Sequence, residues 1–422
     1  MSRYAHLAAV ALALPLGACG ALLHSVEESP TPTVPVTKTF TRGLATSSVA
    51  VGRWWSSFGD PALDDVMKLA VLDNLDLKRA RARLKQAQAI RKGANAAWFP
   101  QIDLNANGSR SKSAFQFGSF ENNQFDLSVA ASYELDLWGR VNFTTEAAAL
   151  DFKASVFDLE AMAMSVSAQV AETWFQLVEA RATLDLLRRQ LDTNRTFLEL
   201  VEYRFGQGQV GALDVLQQRQ QVAATESQMP QVEASVAVLQ NALAVLLARS
   251  PSEAGLPKQA ALPGLPPAPA VGVPATLLQR RPDVMAAQAR VMAADNRIGA
   301  AIADQFPTIR LSASAGYRSF TELGDLFDNF VWNLAGGLAG PLFDGLRRRA
   351  EVDRTKAVLE DQMYAYGQVV LTAFREVEDA LVQEEKQRNR LAQLDAQVDL
   401  AKTTLDQAKT RYVNGLSDYL PV

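Results

Sequence analysis

The chain repeats its own sequence at a constant spacing of 207 residues. Residues 74–208 align with residues 281–415 without a gap. Matched positions include Asp76 and Asp283, Phe99-Pro100 and Phe306-Pro307, Leu135 and Leu342, Arg140 and Arg347, Arg204 and Arg411, and Gly208 and Gly415. A register held over this length indicates a duplicated structural unit that is far larger than a solenoid module. Whatever fold the chain adopts must accommodate two copies of one architecture.

Each copy contains a heptad pattern of apolar residues. In the second copy the pattern consists of Leu391, Leu394, Val398, Ala401, Leu405, Ala408 and Tyr412. The first copy gives Leu184, Leu187, Leu191, Asn194, Leu198, Val201 and Phe205, in which Asn194 alone interrupts the pattern. A sustained heptad is typical of a coiled-coil seam. We therefore expect long helices over residues 140–205 and 347–412, each about 100 Å long at 1.5 Å per residue.

The period of the sequence changes to two before each long helix. Alternating apolar residues predict strands at about 101–110 and 124–137, and again at about 308–317 and 330–342. Polar segments at 108–123 and 318–329 are the predicted loops. Further helices are expected over residues 63–97 and 211–247. The first repeat thus spans residues 51–249, a proline-rich linker spans 250–274, and the second repeat spans 275–422.

The N-terminal segment has the composition of an export signal. Residues 7–15 form an apolar run that is too short to span a membrane as a helix. Small residues precede Cys19, the only cysteine in the chain, and this arrangement resembles a bacterial lipobox. It predicts a signal peptide over 1–18 and a lipidated, extended tether over 19–50, with covalent diacylglycerol and palmitate on Cys19. The alternative is an ordinary signal peptide with an incidental cysteine.

Composition excludes several classes of function. The formal net charge of −4 gives no basic footprint for nucleic acid. The two histidines, His6 and His24, both lie in the N-terminal segment, outside the repeated body. With one cysteine and no histidine in that body, the counts exclude Cys/His zinc sites and Cys–His nucleophiles. We expect neither an enzyme nor a metal or other cofactor site.

The four predicted strands cannot form a closed structure by themselves. Strands with one apolar and one polar face suit an outer-membrane barrel, which must close so that no edge meets lipid. Three chains would supply twelve strands, and the same homotrimer would give the long helices partners. The expected fold is mainly α with membrane β: a trimeric twelve-stranded barrel continuous with a periplasmic α-helical barrel. The alternative is an ordinary α+β protein with a two-layer sheet.

Several motifs then resemble one family. They are Arg280-Arg281-Pro282-Asp283-Val284, Phe306-Pro307-Thr308-Ile309, Pro341-Leu342-Phe343-Asp344-Gly345, residues 373–381, and Tyr133-Glu134-Leu135-Asp136-Leu137-Trp138-Gly139-Arg140. The chain resembles outer membrane efflux lipoproteins of the TolC/OprM class. The resemblance implies a trimeric, non-catalytic exit duct in the bacterial outer membrane. Its implied partners are a periplasmic adaptor (membrane fusion protein), an inner-membrane pump and outer-membrane lipid, and its implied cargo is drugs or other small molecules.

The resemblance also places the two helix–helix turns, residues 204–214 and 411–419, at the periplasmic tip. The implied adaptor contacts are Gly208, Val210, Gly211 and Leu213 in the first turn, and Gly415, Leu416 and Ser417 in the second. Glycine lets the backbone reverse tightly, so these segments could also be no more than turns.

A periplasmic gate is expected beside these turns. By resemblance, Val413 is the apolar constriction. Asp214 and Asp418, repeated by threefold symmetry, would form acidic rings that favour cations and respond to pH or metal ions. The alternative for both carboxylates is an ordinary charge at a helix N-terminus, where the helix dipole favours it.

The second copy ends earlier than the first. At the 207-residue offset the counterpart of Ala248 would be position 455, so 33 residues of the expected unit are absent from the 422-residue sequence. We expect a chain of this length to assemble poorly, and restoring a final helix to rescue a stable trimer. Two alternatives to a working duct follow: a lipid-tethered periplasmic coiled-coil protein without a pore, and a non-functional fragment of the duct.

Overall fold

The computed structural model describes residues 24–26, 30–35, 53–115, 118–253, 255, 257, 261–266 and 278–414. Cys19, Gly415, Leu416, Ser417 and Asp418 lie outside this described part. The chain divides into two compact units. The first unit comprises Met1–Val36, Ala82–Asp158 and Leu278–Leu371, and the second comprises Thr37–Arg81, Leu159–Leu277 and Thr372–Val422. Both units draw residues from both sequence repeats, so the compact units cut across the repeats.

The order of helices and strands shows the duplication. The first repeat contains α1 (Pro61–Asp73), α2 (Leu75–Asn95), β1 (Gln101–Phe115), β2 (Gly118–Leu135), α3 (Arg140–Gly206) and α4 (Ala212–Leu246). The second contains α5 (Pro282–Ala303), β3 (Thr308–Ser319), β4 (Phe330–Ala339) and α6 (Arg347–Val413). A shift of 207 residues carries the first residue of α2, β1 and α3 onto that of α5, β3 and α6. The duplicated unit is therefore confirmed.

Two predicted loops differ from the structure. The loop expected at 108–123 is wrong, because β1 continues to Phe115 and β2 begins at Gly118. Cross-strand ion pairs extend this hairpin, with Glu121 accepting from Arg110 at 2.7 Å and from Lys112 at 3.0 Å. The loop at 318–329 is largely correct but contains a 3₁₀-helix, Leu323–Asp328. The fourth strand stops at Ala339, short of the predicted end at residue 342.

The single helix predicted over 63–97 is two helices, because Asn74 interrupts it. The Asn74 side-chain oxygen accepts from the backbone N–H groups of Asp76 at 2.9 Å and Leu77 at 3.1 Å. Its amide nitrogen donates to the Leu246 carbonyl at 2.9 Å. An asparagine that caps a helix in this way satisfies donors that the helix start leaves unpaired. Asn74 thereby ends α1, starts α2 and binds the end of α4.

The first unit contains a four-stranded antiparallel sheet in the order β1-β2-β3-β4. β1 and β2 form one hairpin and β3 and β4 form the other. The central pairing, β2 with β3, joins the two repeats. One edge of β1 and one edge of β4 have no partner strand within the described chain.

The second unit has an apolar core centred on Trp174. This side chain is fully buried with Leu63, Met67, Leu177 and Leu243. Its indole N–H donates to Asp60 Oδ2 at 2.9 Å. Asp60 Oδ1 accepts from the backbone N–H groups of Ala62 at 2.9 Å and Leu63 at 3.2 Å, so the same carboxylate caps α1.

The predicted heptad seam of the first repeat is largely buried in the second unit, although Phe205 at its end is exposed. Leu184, Leu187, Leu191 and Val201 of α3 are buried. Asn194, which interrupts the heptads, donates to Thr225 Oγ1 of α4 at 3.0 Å, and its carbonyl accepts from Gln218 at 2.9 Å. The corresponding apolar side chains of α6, Leu391, Leu394, Val398 and Leu405, are exposed. Nowhere in the described residues is there a helix with the length and apolar content to cross a membrane.

Replacing Asp60 tests the core of the second unit. Asp60→Ala should lower the free energy of unfolding by about 1 kcal/mol for the lost cap. Leaving the buried Trp174 N–H without this acceptor should add roughly 1–3 kcal/mol. Asp60→Asn can keep the cap but should lose the indole hydrogen bond. Chemical denaturation measures both, with Asp65→Ala on the exposed face of α1 as control. Equal stability of all three variants would contradict the assignment.

Gly316 tests the central pairing of the sheet. A Cβ at Gly316 would lie 2.5 Å from Ser128 Cα and closer still to the Leu127 carbonyl oxygen, so the backbone of β2 would have to move. Gly316→Ala should therefore lower the melting temperature. Gly337→Ala provides the matched control, because its Cβ would meet nothing within 4 Å on the same face of the sheet. Equal melting temperatures for the two variants would contradict this pairing geometry.

Candidate functional site

One face of the sheet is apolar and exposed. The register places Leu104, Val129, Ala315 and Trp332 side by side on this face, one from each strand. Along β4 the same face carries Trp332, Leu334 and Leu338, which are 73%, 72% and 70% exposed. An apolar surface of this kind on an antiparallel sheet indicates contact with another apolar phase or partner.

The opposite face of the same sheet is polar. It carries Asp103, Asn105, Asn107, Asp126, Ser128, Ser132, Glu134, Arg310, Ser312, Ser314, Arg318 and Asn333. Arg318 Nε donates to Asp126 Oδ1 across the β2–β3 pairing. The strands are 10 to 18 residues long, and a tilted strand of roughly 9–11 residues crosses a bilayer. Apolar and polar faces of this length match the two sides of a transmembrane barrel wall.

Aromatic side chains lie at both ends of the sheet. At one end Trp138 stacks on Phe306 with ring centroids 4.9 Å apart, and its indole N–H donates to the Pro307 carbonyl at 2.6 Å. At the other end Tyr317 meets Phe327 and Phe330 edge-on, at 5.3 and 5.6 Å. Aromatic groups at both margins of an apolar band are typical of outer-membrane barrels, where they sit at the two membrane interfaces.

The turn between α3 and α4, in the second unit, is closed by backbone and carboxylate hydrogen bonds. Gly208 adopts a left-handed conformation with φ +72°, which glycine enters without steric cost. The Gln209 N–H donates to the Arg204 carbonyl at 3.0 Å. The Asp214 carboxylate accepts from the Gly211 N–H at 2.9 Å. Beyond this turn, Leu213 is 66% exposed at the start of α4.

Arg204 joins the end of α3 to the end of α6. Its guanidinium donates to the Tyr412 hydroxyl and lies 4.5 Å from the centroid of that ring. The two residues are 208 positions apart, so Tyr412 is the neighbour of Arg411, the counterpart of Arg204 in the second repeat. The duplication indicates that these helix ends are equivalent, but no local motif identifies Arg204 and Tyr412 as a contacting pair.

The structure brings some predicted tip and gate residues together. Gly208, Val210, Gly211, Leu213 and Asp214 all lie in or beside the α3–α4 turn. The Asp214 carboxylate accepts from the Gly211 N–H and so caps the start of α4. This is the structural alternative to a role in an acidic ring. Val413 is the last residue of α6, directly after Tyr412. The remaining predicted tip and gate residues lie outside the described part.

The Arg281-Pro282-Asp283 motif has a structural role at the start of α5. Arg281 Nη2 donates to Asp283 Oδ2 at 2.7 Å, and the Val284 N–H donates to Oδ1 at 2.9 Å. Burial alone would raise the pKa of Asp283, but the Arg281 hydrogen bonds and charge hold that pKa below its ordinary value. The carboxylate therefore stabilises the fold at neutral pH, and this contribution is lost as the pH falls through the lowered pKa.

The described residues contain no group of three or more His, Cys, Asp or Glu side chains placed to hold a metal ion. A polar cavity of about 540 Å³ lies in the first unit, beside Glu134, Arg140 and Arg310. Its central ion pair joins Arg140 to Glu134 at 2.8 Å. This arrangement is that of a structural ion pair at the junction of β2 and α3.

Relatives of known activity share this sequence over most of its length. The chain is 31% identical to the pyoverdine export outer membrane protein OpmQ of Pseudomonas aeruginosa, over 99% of this chain and 89% of that protein. It is also 31% identical to the toluene efflux pump outer membrane protein TtgI of Pseudomonas putida, over 86% of this chain and 79% of the relative.

Solved structures share the fold. The outer-membrane channel OprN superimposes with a TM-score of 0.85 at 27% identity, covering 93% of this chain and 91% of OprN. The open state of the MtrE outer membrane channel of Neisseria gonorrhoeae gives a TM-score of 0.84 at 28% identity, covering 94% and 90%. The family model for outer membrane efflux proteins matches residues 66–249 and 273–422. The chain therefore belongs to the outer membrane efflux protein family.

Proposed function

We propose that this chain is the outer-membrane exit duct of a tripartite efflux system. Three copies close a twelve-stranded barrel around a polar lumen, and their long helices form the periplasmic tube. The duct carries small molecules passively, delivered by an inner-membrane pump through a periplasmic adaptor. Family membership supports efflux as the activity, and the toluene and pyoverdine relatives support small organic compounds as cargo.

The sheet carries the proposal. Its exposed apolar face suits lipid and its opposite polar face suits an aqueous lumen. The free edges of β1 and β4 present unpaired N–H and C=O groups, which cannot remain unsatisfied in hydrocarbon. Closure with further copies satisfies both edges.

The tip supports the periplasmic part of the proposal. The Arg204–Tyr412 contact holds the ends of α3 and α6 together and acts as the closing contact of the duct. Val413, Asp214 and Asp418 line the same constriction, with the carboxylates as acidic rings. The exposed Leu213, with Gly208, Val210, Gly211 and the second-turn residues Gly415, Leu416 and Ser417, meets the adaptor. Lipid on Cys19 anchors the N-terminus in the outer membrane.

Arginine substitutions on the two faces of β4 test the barrel. Leu334→Arg puts a charge on the proposed lipid face and should cost about 2–4 kcal/mol at the membrane midplane. Asn333→Arg places the same charge on the polar face, one residue away, and should leave trimer yield nearly unchanged while shifting ion selectivity towards anions. Trimer yield from outer membranes and single-channel recordings in planar bilayers measure both. Equal loss with the two variants, or a wild-type protein without conductance, would contradict the duct.

Substitutions at the tip test the closing contact. Tyr412→Phe removes the hydroxyl acceptor and Arg204→Gln removes both the donor charge and the cation–π contact. Both variants should open more often and conduct severalfold more than the wild type, with Arg204→Gln giving the larger effect. Arg219→Gln breaks a nearby exposed ion pair, Arg219–Glu202, within the α3–α4 hairpin and serves as control. Unchanged conductance in both tip variants would show that the Arg204–Tyr412 contact does not close the duct.

A further inference from the structure

The polar cavity of the first unit carries a positive charge. Its volume of about 540 Å³ falls within the roughly 300–1,000 Å³ that is typical of ligand-binding cavities. Two guanidinium groups and one carboxylate line it, those of Arg140, Arg310 and Glu134. The ion pair between Arg140 and Glu134 neutralises one of the two cations and leaves the charge of Arg310.

The Glu134 carboxylate is committed to Arg140. Its Oε1 accepts from Arg140 Nε at 2.9 Å and from Arg140 Nη2 at 2.8 Å. Glu134 also lies directly opposite Arg310 in the β2–β3 pairing. Within the described residues, however, the Arg310 side chain takes part in no ion pair or hydrogen bond. The cavity therefore contains one guanidinium whose charge is not neutralised.

The space beside Arg310 is open. On the β4 side Arg310 lies opposite Gly337, and a Cβ added at Gly337 would meet nothing within 4 Å. No side chain therefore fills the neighbouring position on the polar face. The other arginine of β3 on this face, Arg318, already donates to Asp126. Of these two arginines, Arg310 is the one whose guanidinium can bind an anion without first breaking an ion pair.

The fold does not require a cation at this position. A shift of 207 residues carries Asp103 of β1 onto Arg310 of β3. Asp103 lies opposite Ala130 and Arg310 lies opposite Gly337, so the two hairpins have the same register although the charges are opposite. Because the Arg310 side chain forms no hydrogen bond within the described residues, its charge is available for binding rather than for holding strands together.

The cavity also has an apolar wall. Phe99 and Pro100, which lead into β1, line it together with Val141 at the start of α3. Phe99 is 73% exposed, so a ligand can reach its ring. The planar fork of N–H donors on a guanidinium matches the two oxygens of a carboxylate. A cation beside an exposed ring suits a small organic anion that has both a carboxylate and an apolar body.

We propose that this cavity binds small organic carboxylates and that Arg310 is the residue that holds the carboxylate. The inference rests on the proposed duct and names a class of cargo for it. Because the polar face is the proposed lumen wall, three copies place three such sites along the path of the cargo. Rings of arginine or lysine favour anions in pores, and conduction requires sites that release their ligand as readily as they bind it. A single exposed guanidinium in each chain meets both conditions.

Binding of benzoate to the purified full-length protein in nonionic detergent tests this site. Benzoate has a carboxylate and a ring, and benzamide is its neutral counterpart. Saturation-transfer difference NMR measures the weak binding of both. The wild type should bind benzoate saturably and at least severalfold more tightly than benzamide. Arg310→Gln should weaken benzoate binding at least severalfold, and Arg310→Lys should restore part of it, because lysine keeps the charge without the planar fork.

Two further variants serve as controls. Arg318→Gln removes one positive charge from the same face of the same strand, so it reports the effect of overall lumen charge, and its benzoate affinity should stay within about twofold of the wild type, since Arg318 is already paired with Asp126. Phe99→Ala should weaken benzoate binding and leave acetate binding unchanged, because acetate has no ring to place on the apolar wall.

Single-channel recordings in planar bilayers place the site relative to the path. Benzoate should interrupt the current briefly in the wild type and in Arg318→Gln, and should do so far less often in Arg310→Gln. Unchanged benzoate affinity in Arg310→Gln, equal losses in the two arginine variants, equal binding of benzoate and benzamide, or a wild-type current without interruptions would overturn the carboxylate site. Each of these results leaves the duct standing as long as the wild type forms conducting trimers. A monomeric wild type without conductance would overturn the proposed function itself.

Discussion

Backbone hydrogen bonding at the edges of the sheet is the constraint on which the rest of the structure depends. An antiparallel sheet with one exposed apolar face and two free edges is stable in a membrane only when those edges are paired. We propose that identical chains close these edges. In the proposed duct the exposed leucines of α6 are available to pack against other helices, as buried leucines of α3 already do within the second unit.

Much of this fold could be predicted from the sequence because its signals are local. The long helices begin at Arg140 and Arg347 as expected, since the apolar period changes sharply there. The far end of the first hairpin could not be predicted. Its residues are mostly polar on both faces, so alternation gives no signal, and ion pairs to Glu121 hold the strands together. The helix break at Asn74 has a local signal, since asparagine caps α2, but the hydrogen bond from Asn74 to Leu246 spans 172 residues and no local pattern encodes it.

The candidate site also contains some residues that the sequence predicts and some contacts that it does not. Gly208 of the α3–α4 turn could be identified from composition, because a tight reversal needs a residue that accepts positive φ. The Arg204–Tyr412 contact depends on the packing of helices from different repeats, which no local pattern encodes. Asp214 illustrates the limit of reasoning by residue type: a carboxylate placed beside a proposed gate also caps its own helix.

The unequal length of the two hairpins has a consequence of its own. The part of β2 that precedes Phe125 does not pair with β3. Its residues 118–124 form backbone pairs with β1 alone. This two-stranded ribbon has no backbone pairing with the second hairpin, and its contact there is the Asn123 side-chain amide, which donates to the Thr321 carbonyl at 3.0 Å. In the proposed duct this ribbon can therefore change in sequence, Asn123 excepted, while the pairing of β2 with β3 keeps its register.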